Sequence, residues 1–144
     1  MQLGAAGKAL IQSFENLRLQ AYQDQRGIWS IGWGHTPAVE YQETTPEEAD
    51  EWFAQDTQAA VNAVNRTVDV ALNQNQFDAL CSLCFNIGAH AFATSTLIAL
   101  LNQGKFLLAL GQFSFWNHIN GVVNAGLTRR RTAEQALFNS QILN

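Results

Sequence analysis

Between Ser13 and Thr36 the chain reads SFENLRLQAYQDQRGIWSIGWGHT, and its spacing changes from helical to strand-like inside that run. Leu3, Leu10, Ile11 and Phe14 recur at helical intervals, so a first helix is expected near residues 4–15. Glu15 closes that pattern, four positions after Ile11 and on the flank of the apolar stripe. From Leu19 to Trp33 the apolar and aromatic residues take strand spacing around a polar turn, Asp24-Gln25-Arg26-Gly27. A hairpin or three-stranded sheet of that size does not stand alone in water and has to lean on helices. This requirement excludes an all-helical chain and sets the class as α+β.

The rest of the chain supplies the helices. Thr45-Pro46-Glu47-Glu48 is a helix start: threonine caps, proline fits the first helical position, and Glu48 completes a capping box. Ala49, Trp52, Phe53, Ala60 and Val64 follow at helical spacing to about Asn65, long enough to bridge two lobes. Asn73 to Ile87 reads as a buried helix stopped by Gly88, and Ser95 caps another that ends before Gly104. Lys105 to Trp116 is apolar on most sides and is expected to be central; His118 to Gly126 reads as a loop, and Leu127 to Gln141 as a final basic helix. The expected architecture is one domain over residues 1–144, with a β-containing lobe at about 13–57, a helical lobe at about 1–12 and 58–144, and a cleft between them.

A chain of 144 residues can bury a core without metal or disulfide staples. The formal charge of −4 argues against nucleic acid as a partner. No apolar run reaches the roughly 20 residues of a membrane span, and no membrane anchor is expected. Lys8, Gln12 and Ser13 break the N-terminal stretch, which reads as a helix and not as a signal peptide. Cys81 and Cys84 share one face of an apolar helix and are expected to be buried structural thiols, since redox chemistry needs an exposed pair and zinc needs further ligands.

Chemistry concentrates in Glu15 and Asp24. Glycosidic cleavage needs two carboxyl groups in unlike surroundings, one protonated to serve the leaving oxygen and one ionised to assist water or stabilise positive charge. Glu15 beside apolar residues is expected to hold its proton, and Asp24 in a polar turn to ionise. Taken singly, each also suits a plainer role, as a helix-end residue and a turn former.

Glu15, Arg18-Leu19, Ala21-Tyr22, Asp24, Gly27 and Ile31-Gly32-Trp33-Gly34-His35-Thr36 together resemble the N-terminal signature of phage-type lysozymes, the muramidase endolysins of glycoside hydrolase family 24. LNQNQFDALCSLCFNIG and GLTRRRTAEQALF are similar to that family's helical lobe, so the resemblance spans nearly the whole chain. It implies a lysozyme-like fold and hydrolysis of the β-1,4 bond between N-acetylmuramic acid and N-acetylglucosamine in peptidoglycan, with inversion. Glu15 would be the general acid, Asp24 the water-assisting carboxylate, and Ser30 would stand where the family usually has threonine, keeping the hydroxyl but not the rotamer-fixing methyl. Gly34, His35 and Thr36 would lie along the substrate, His35 at the cleft edge in a structural pair; Phe85 and Asn86 would meet the sugars, and Thr96 is placed with them by approximate alignment. Arg129-Arg130-Arg131 cannot share one helix face, so one or two are expected to be structural, the alternative being attraction to anionic wall or membrane surfaces. No metal or organic cofactor is implied. The resemblance points to a monomer made in the host cytoplasm and admitted to the periplasmic wall by a holin. Cleavage of chitin-like polymers, release of anhydro products, a wall-binding protein with a dead site, and membrane permeabilisation by the last helix are the alternatives.

Overall fold

The computed structural model describes residues 1–140. Helix α1 (Ala5–Glu15) leads into an antiparallel hairpin of β1 (Arg18–Gln23) and β2 (Trp29–Gly32), with Tyr22 opposite Ser30 and Gln23 opposite Trp29. Asp24 builds the turn itself: its Oδ1 accepts from the backbone N–H of Arg26 at 2.8 Å and of Ile28 at 3.0 Å. On the other side of β1 the third segment of the expected sheet is a single bridge, Gln20 to Glu43, held by the Ala21 N–H on the Gln42 carbonyl and the Thr44 N–H on the Leu19 carbonyl, each at 2.9 Å.

Helix α2 (Pro46–Thr67) begins where the sequence places it, with the Glu48 N–H donating to the Thr45 hydroxyl at 3.2 Å. Only half of the expected capping box forms, because the Glu48 carboxylate accepts from the Thr44 hydroxyl at 2.7 Å instead of turning back to Thr45. α2 packs on β2 at one end and on α3 (Gln74–Ile87) at the other, which joins the two lobes.

The centre of the helical lobe is α3, in which every residue from Phe77 to Cys84 is buried. Its start is a complete capping box, Asn73 with Gln76. Short helices α4 (Ala89–Ala93), α5 (Thr96–Asn102) and α6 (Phe106–Gln112) follow, then a 3-10 turn at Phe113–Phe115. The expectation of a central helix at Lys105–Trp116 does not hold. Leu107 is 80% exposed and Phe115 69%, and Ala109 is the one buried residue of α6. Apolar residues on most sides suggest a central helix, but α3 already fills the middle, and α6 lies outside it against α5, α7 and the 3-10 turn.

His118 to Gly126 is also more ordered than a loop. A second hairpin pairs β3 (His118–Ile119) with β4 (Val122–Val123), and Asn120 and Gly121 take the positive φ that such a tight turn demands. Helix α7 (Ala125–Asn139) then starts two residues before the expected Leu127, because Asn124 caps it by accepting from the Leu127 N–H at 2.9 Å. Gln141, the expected end of that helix, lies outside the described residues.

Asp78 on α3 holds the first helix. Its Oδ1 accepts from Gly4 N–H at 2.9 Å and its Oδ2 from Gly7 N–H at 3.1 Å, so one buried carboxylate satisfies the donors that Gly4 cannot cap. Close approach explains Gly7, where a Cβ would sit 2.7 Å from the Asp78 Cβ. Asp78→Ala is expected to cost about 3 kcal/mol, read as a lower urea midpoint at unchanged slope.

Cys81 and Cys84 are free and buried as expected. Burial pushes the Cys84 thiol up to about 11, against a smaller opposing pull from Arg66, and raises Cys81 as well. Both should ignore Ellman's reagent in the native protein at mildly alkaline pH and react once it is unfolded. A thiol raised by folding leaves stability intact below its unfolded value. Denaturant midpoints should therefore start to fall as pH passes the ordinary thiol value of 9.0 and keep falling toward 11.

Candidate active site

Glu15 ends α1, and the chain turns away at Asn16, which adopts a positive φ of 53°. That reversal leaves the Glu15 side chain at the wall of a cleft of about 490 Å³, with Asp24 across from it in the β1–β2 turn. The expectation of apolar company for Glu15 is only partly met. Its side chain is 16% exposed and its Oε1 accepts from Arg130 Nη1 at 2.6 Å, while the Arg130 side chain is buried and lies over the Phe14 ring. The opposite oxygen, Oε2, faces the backbone at Gly34.

Asp24 shows the same division of labour. Oδ1 is occupied by the two turn N–H groups, and among the described residues Oδ2 has no protein donor. Tyr22 stands near both carboxyl groups: burial first, then Glu15, push its phenol above the ordinary value, with Arg18, 4.6 Å from the ring centre, acting against them.

The other expected residues divide into those at the cleft and those behind it. Asn86 lines the cleft, and its Oδ1 is buried without a partner. Phe85 is turned into the hydrophobic core, tilted against Phe53 at 5.9 Å. Ser30 is buried on β2, its hydroxyl donating to the Ile28 carbonyl at a long 3.3 Å. His35 does not line the cleft; its Nδ1 is 2.8 Å from Asp56 Oδ2 and its ring stacks on Trp52 at 4.6 Å. Thr36 is exposed just past it, and Thr96 is exposed in the first turn of α5, outside the cleft wall.

Arg130 and its supports are the residues that sequence reading does not single out. Arg130 and Arg131 both turn inward, at 3% and 1% exposure, which leaves Arg129 on the cleft side and removes the continuous basic face a membrane-active helix would present. The adjacent arginines in GLTRRR show only that all three cannot point one way; where Arg130 goes depends on Glu15, far off in sequence. A second cross-cleft contact, from Asn124 Nδ2 to Gln25 Oε1, joins the cap of α7 to the turn that carries Asp24.

The chain matches the family described as Phage lysozyme over residues 12–134. The endolysin of Bacillus phage PZA is 43% identical over 97% of this chain, which spans 56% of that longer protein. The endolysin of Acyrthosiphon pisum secondary endosymbiont phage 1 is also 43% identical, over 97% of this chain and 99% of its own length. Among solved structures, the muramidase domain of SpmX from Asticaccaulis excentricus superposes with a TM-score of 0.87 at 43% identity, covering 97% of this chain and 99% of that one.

Gly34 has both a positive φ of 80° and a built-in neighbour, since a Cβ there would run into Glu15 Oε2. Gly34→Ala should therefore displace the Glu15 carboxyl as well as strain the backbone. The expected result is a folded protein destabilised by about 1–3 kcal/mol whose kcat falls at least tenfold, measured by wall-turbidity kinetics beside a thermal melt.

Proposed function

The chain belongs to the phage lysozyme family and is a peptidoglycan hydrolase, and from that premise we propose that Glu15 is its general acid and Asp24 the carboxylate that assists the attacking water. The bond cleaved is the β-1,4 link between N-acetylmuramic acid and N-acetylglucosamine. The observation that carries this reading is that each carboxyl group has one oxygen held by the protein and one left for chemistry.

An acid that must protonate a leaving oxygen has to present its proton in one direction. Arg130 donates to Oε1, so a proton on Glu15 belongs on Oε2, the oxygen on the Gly34 side. On Asp24 the two N–H groups fix Oδ1 and leave Oδ2 to orient water and to face the positive charge that builds on the sugar ring. Fixing both groups before substrate arrives removes rotational freedom that would otherwise be lost in the transition state.

Ser30 has a supporting part in this scheme, its weakly engaged hydroxyl holding the water together with Asp24. Asn86 offers its unpartnered Oδ1 to an acetamido N–H, and Gly34 lets the glycan pass close to the backbone. His35, fixed by Asp56 and Trp52, stiffens the wall behind Gly34 and transfers no proton. Thr36, Phe85 and Thr96 belong to outer or indirect contacts with the polymer. Inversion at the anomeric carbon is the expected outcome. Among the described residues no helix is long and apolar enough to cross a membrane. Access to the wall through a separate holin is part of this proposal. Both carboxyl groups come from one chain, so a monomer suffices.

Purified cell walls treated with the parent, Glu15→Gln, Asp24→Asn and Ser30→Ala proteins, with mass analysis of the fragments, test the assignment. The parent should release hydrated disaccharides. Glu15→Gln and Asp24→Asn should lose at least a hundredfold in rate, and Ser30→Ala a smaller factor. Full turnover by Glu15→Gln would remove the acid role, and full turnover with unchanged stereochemistry by Ser30→Ala would remove the water-holding role.

A further inference from the structure

Glu134 has no exposed surface at all, yet nothing in the scheme above uses it. Buried carboxylates are costly to keep without partners, and this one has four polar contacts. On its Oε2 it accepts from the Ser82 hydroxyl of α3 at 2.5 Å, from Arg131 Nη2 at 3.2 Å and from Arg130 Nε at 3.4 Å. Arg131 Nε also lies 2.6 Å from Oε1, close but not aligned for a hydrogen bond. Arg130 therefore stands between two carboxyl groups, with Nε toward Glu134, Nη1 toward Glu15 and Nη2 on the Ser82 carbonyl at 3.2 Å.

We propose that Glu134 is a positioning residue for the reaction: it holds Arg130 from behind, offsets the positive charge gathered beside Glu15, and so sets the alkaline limit of activity. The inference rests on the reading of Glu15 as general acid. Its logic is a charge count. With Glu15 protonated, the cluster holds two guanidiniums and one carboxylate, a surplus of one positive charge beside the acid. Without the Glu134 charge the surplus doubles, and a carboxyl group facing it gives up its proton sooner. Removing Arg131 instead leaves Arg130 and Glu134 balanced, which favours the neutral form of a carboxyl group beside them. The other charged or titratable groups at Glu15 are Tyr22 from β1, Asp24 and Arg26 from the turn, and Arg129 from α7. None of them forms a hydrogen bond or ion pair with Glu134.

The test is the pH profile of kcat/KM on soluble glycan fragments from uncrosslinked peptidoglycan, with folding checked by circular dichroism. Glu134→Gln, which keeps the shape and removes the charge, should move the alkaline limb to lower pH by about one unit with KM little changed. Arg131→Gln should move the same limb to higher pH, and the double variant should return it toward the parent. A merely structural Glu134 would lower activity without moving the limb in opposite directions. Limbs that stay at the parental pH in folded variants overturn the proposal, and where Glu134→Gln does not fold, the direction seen with Arg131→Gln decides alone. Parental activity in Glu15→Gln would instead strike the general-acid reading, so the two failures are separable.

Discussion

Two guanidinium groups inside a protein of this size are a constraint on everything around them. Moving a charge out of water costs several kcal/mol even after relaxation, on the order of the whole stability of a small domain. Arg130 and Arg131 are tolerated because the Glu134 carboxylate, the Ser82 carbonyl, the Glu15 carboxylate and the Trp116 carbonyl meet their N–H groups from α7, α3, α1 and the segment after the 3-10 turn. Those contacts tie three helices at one point. The apolar core of α3 packs beside them, but the apolar contacts alone would let the helices slide; the donors and acceptors have only one arrangement that leaves few groups unmatched.

The same constraint fixes the cleft. Glu15 sits at the last residue of α1, a place where a side chain would ordinarily swing through several rotamers. The end of α1 is set at one side by Arg130, and its beginning by Asp78, which takes the Gly4 and Gly7 donors. A helix held at both ends by side chains of α3 and α7 delivers its terminal carboxyl to a defined place. Asp24 reaches its own place differently, by using half of its carboxylate to close the turn it stands in.

What could be read in the sequence was local. Thr45-Pro46, Asn73, Ser95 and Gly88 mark helix boundaries because a cap is satisfied within four residues of itself, and the structure starts and stops its helices there. The Asp24–Gly27 turn was legible for the same reason. The failures were failures of distance. Glu48 chose Thr44 over its expected partner, Lys105–Trp116 went to the edge because α3 had taken the centre, and the short α4 and the β3–β4 hairpin were passed over for want of a long periodic pattern. The arginine run was legible as partly structural, but the pairing of Arg130 with Glu15 spans 115 positions, and no spacing in a single sequence announces such a pair.

Asn124 carries two duties on two different atoms. Its Oδ1 caps α7 through the Leu127 N–H, and its Nδ2 reaches across to Gln25 beside Asp24. An exposed bond between neutral amides is worth about 1 kcal/mol, so it behaves as a clasp that thermal motion undoes many times before a polymer arrives. When it opens, the oxygen that holds the helix is not disturbed. The enclosure can thus be ajar for a long glycan while the helix bearing Arg130 keeps its first turn, and threading the substrate need not loosen the groups that will act on it.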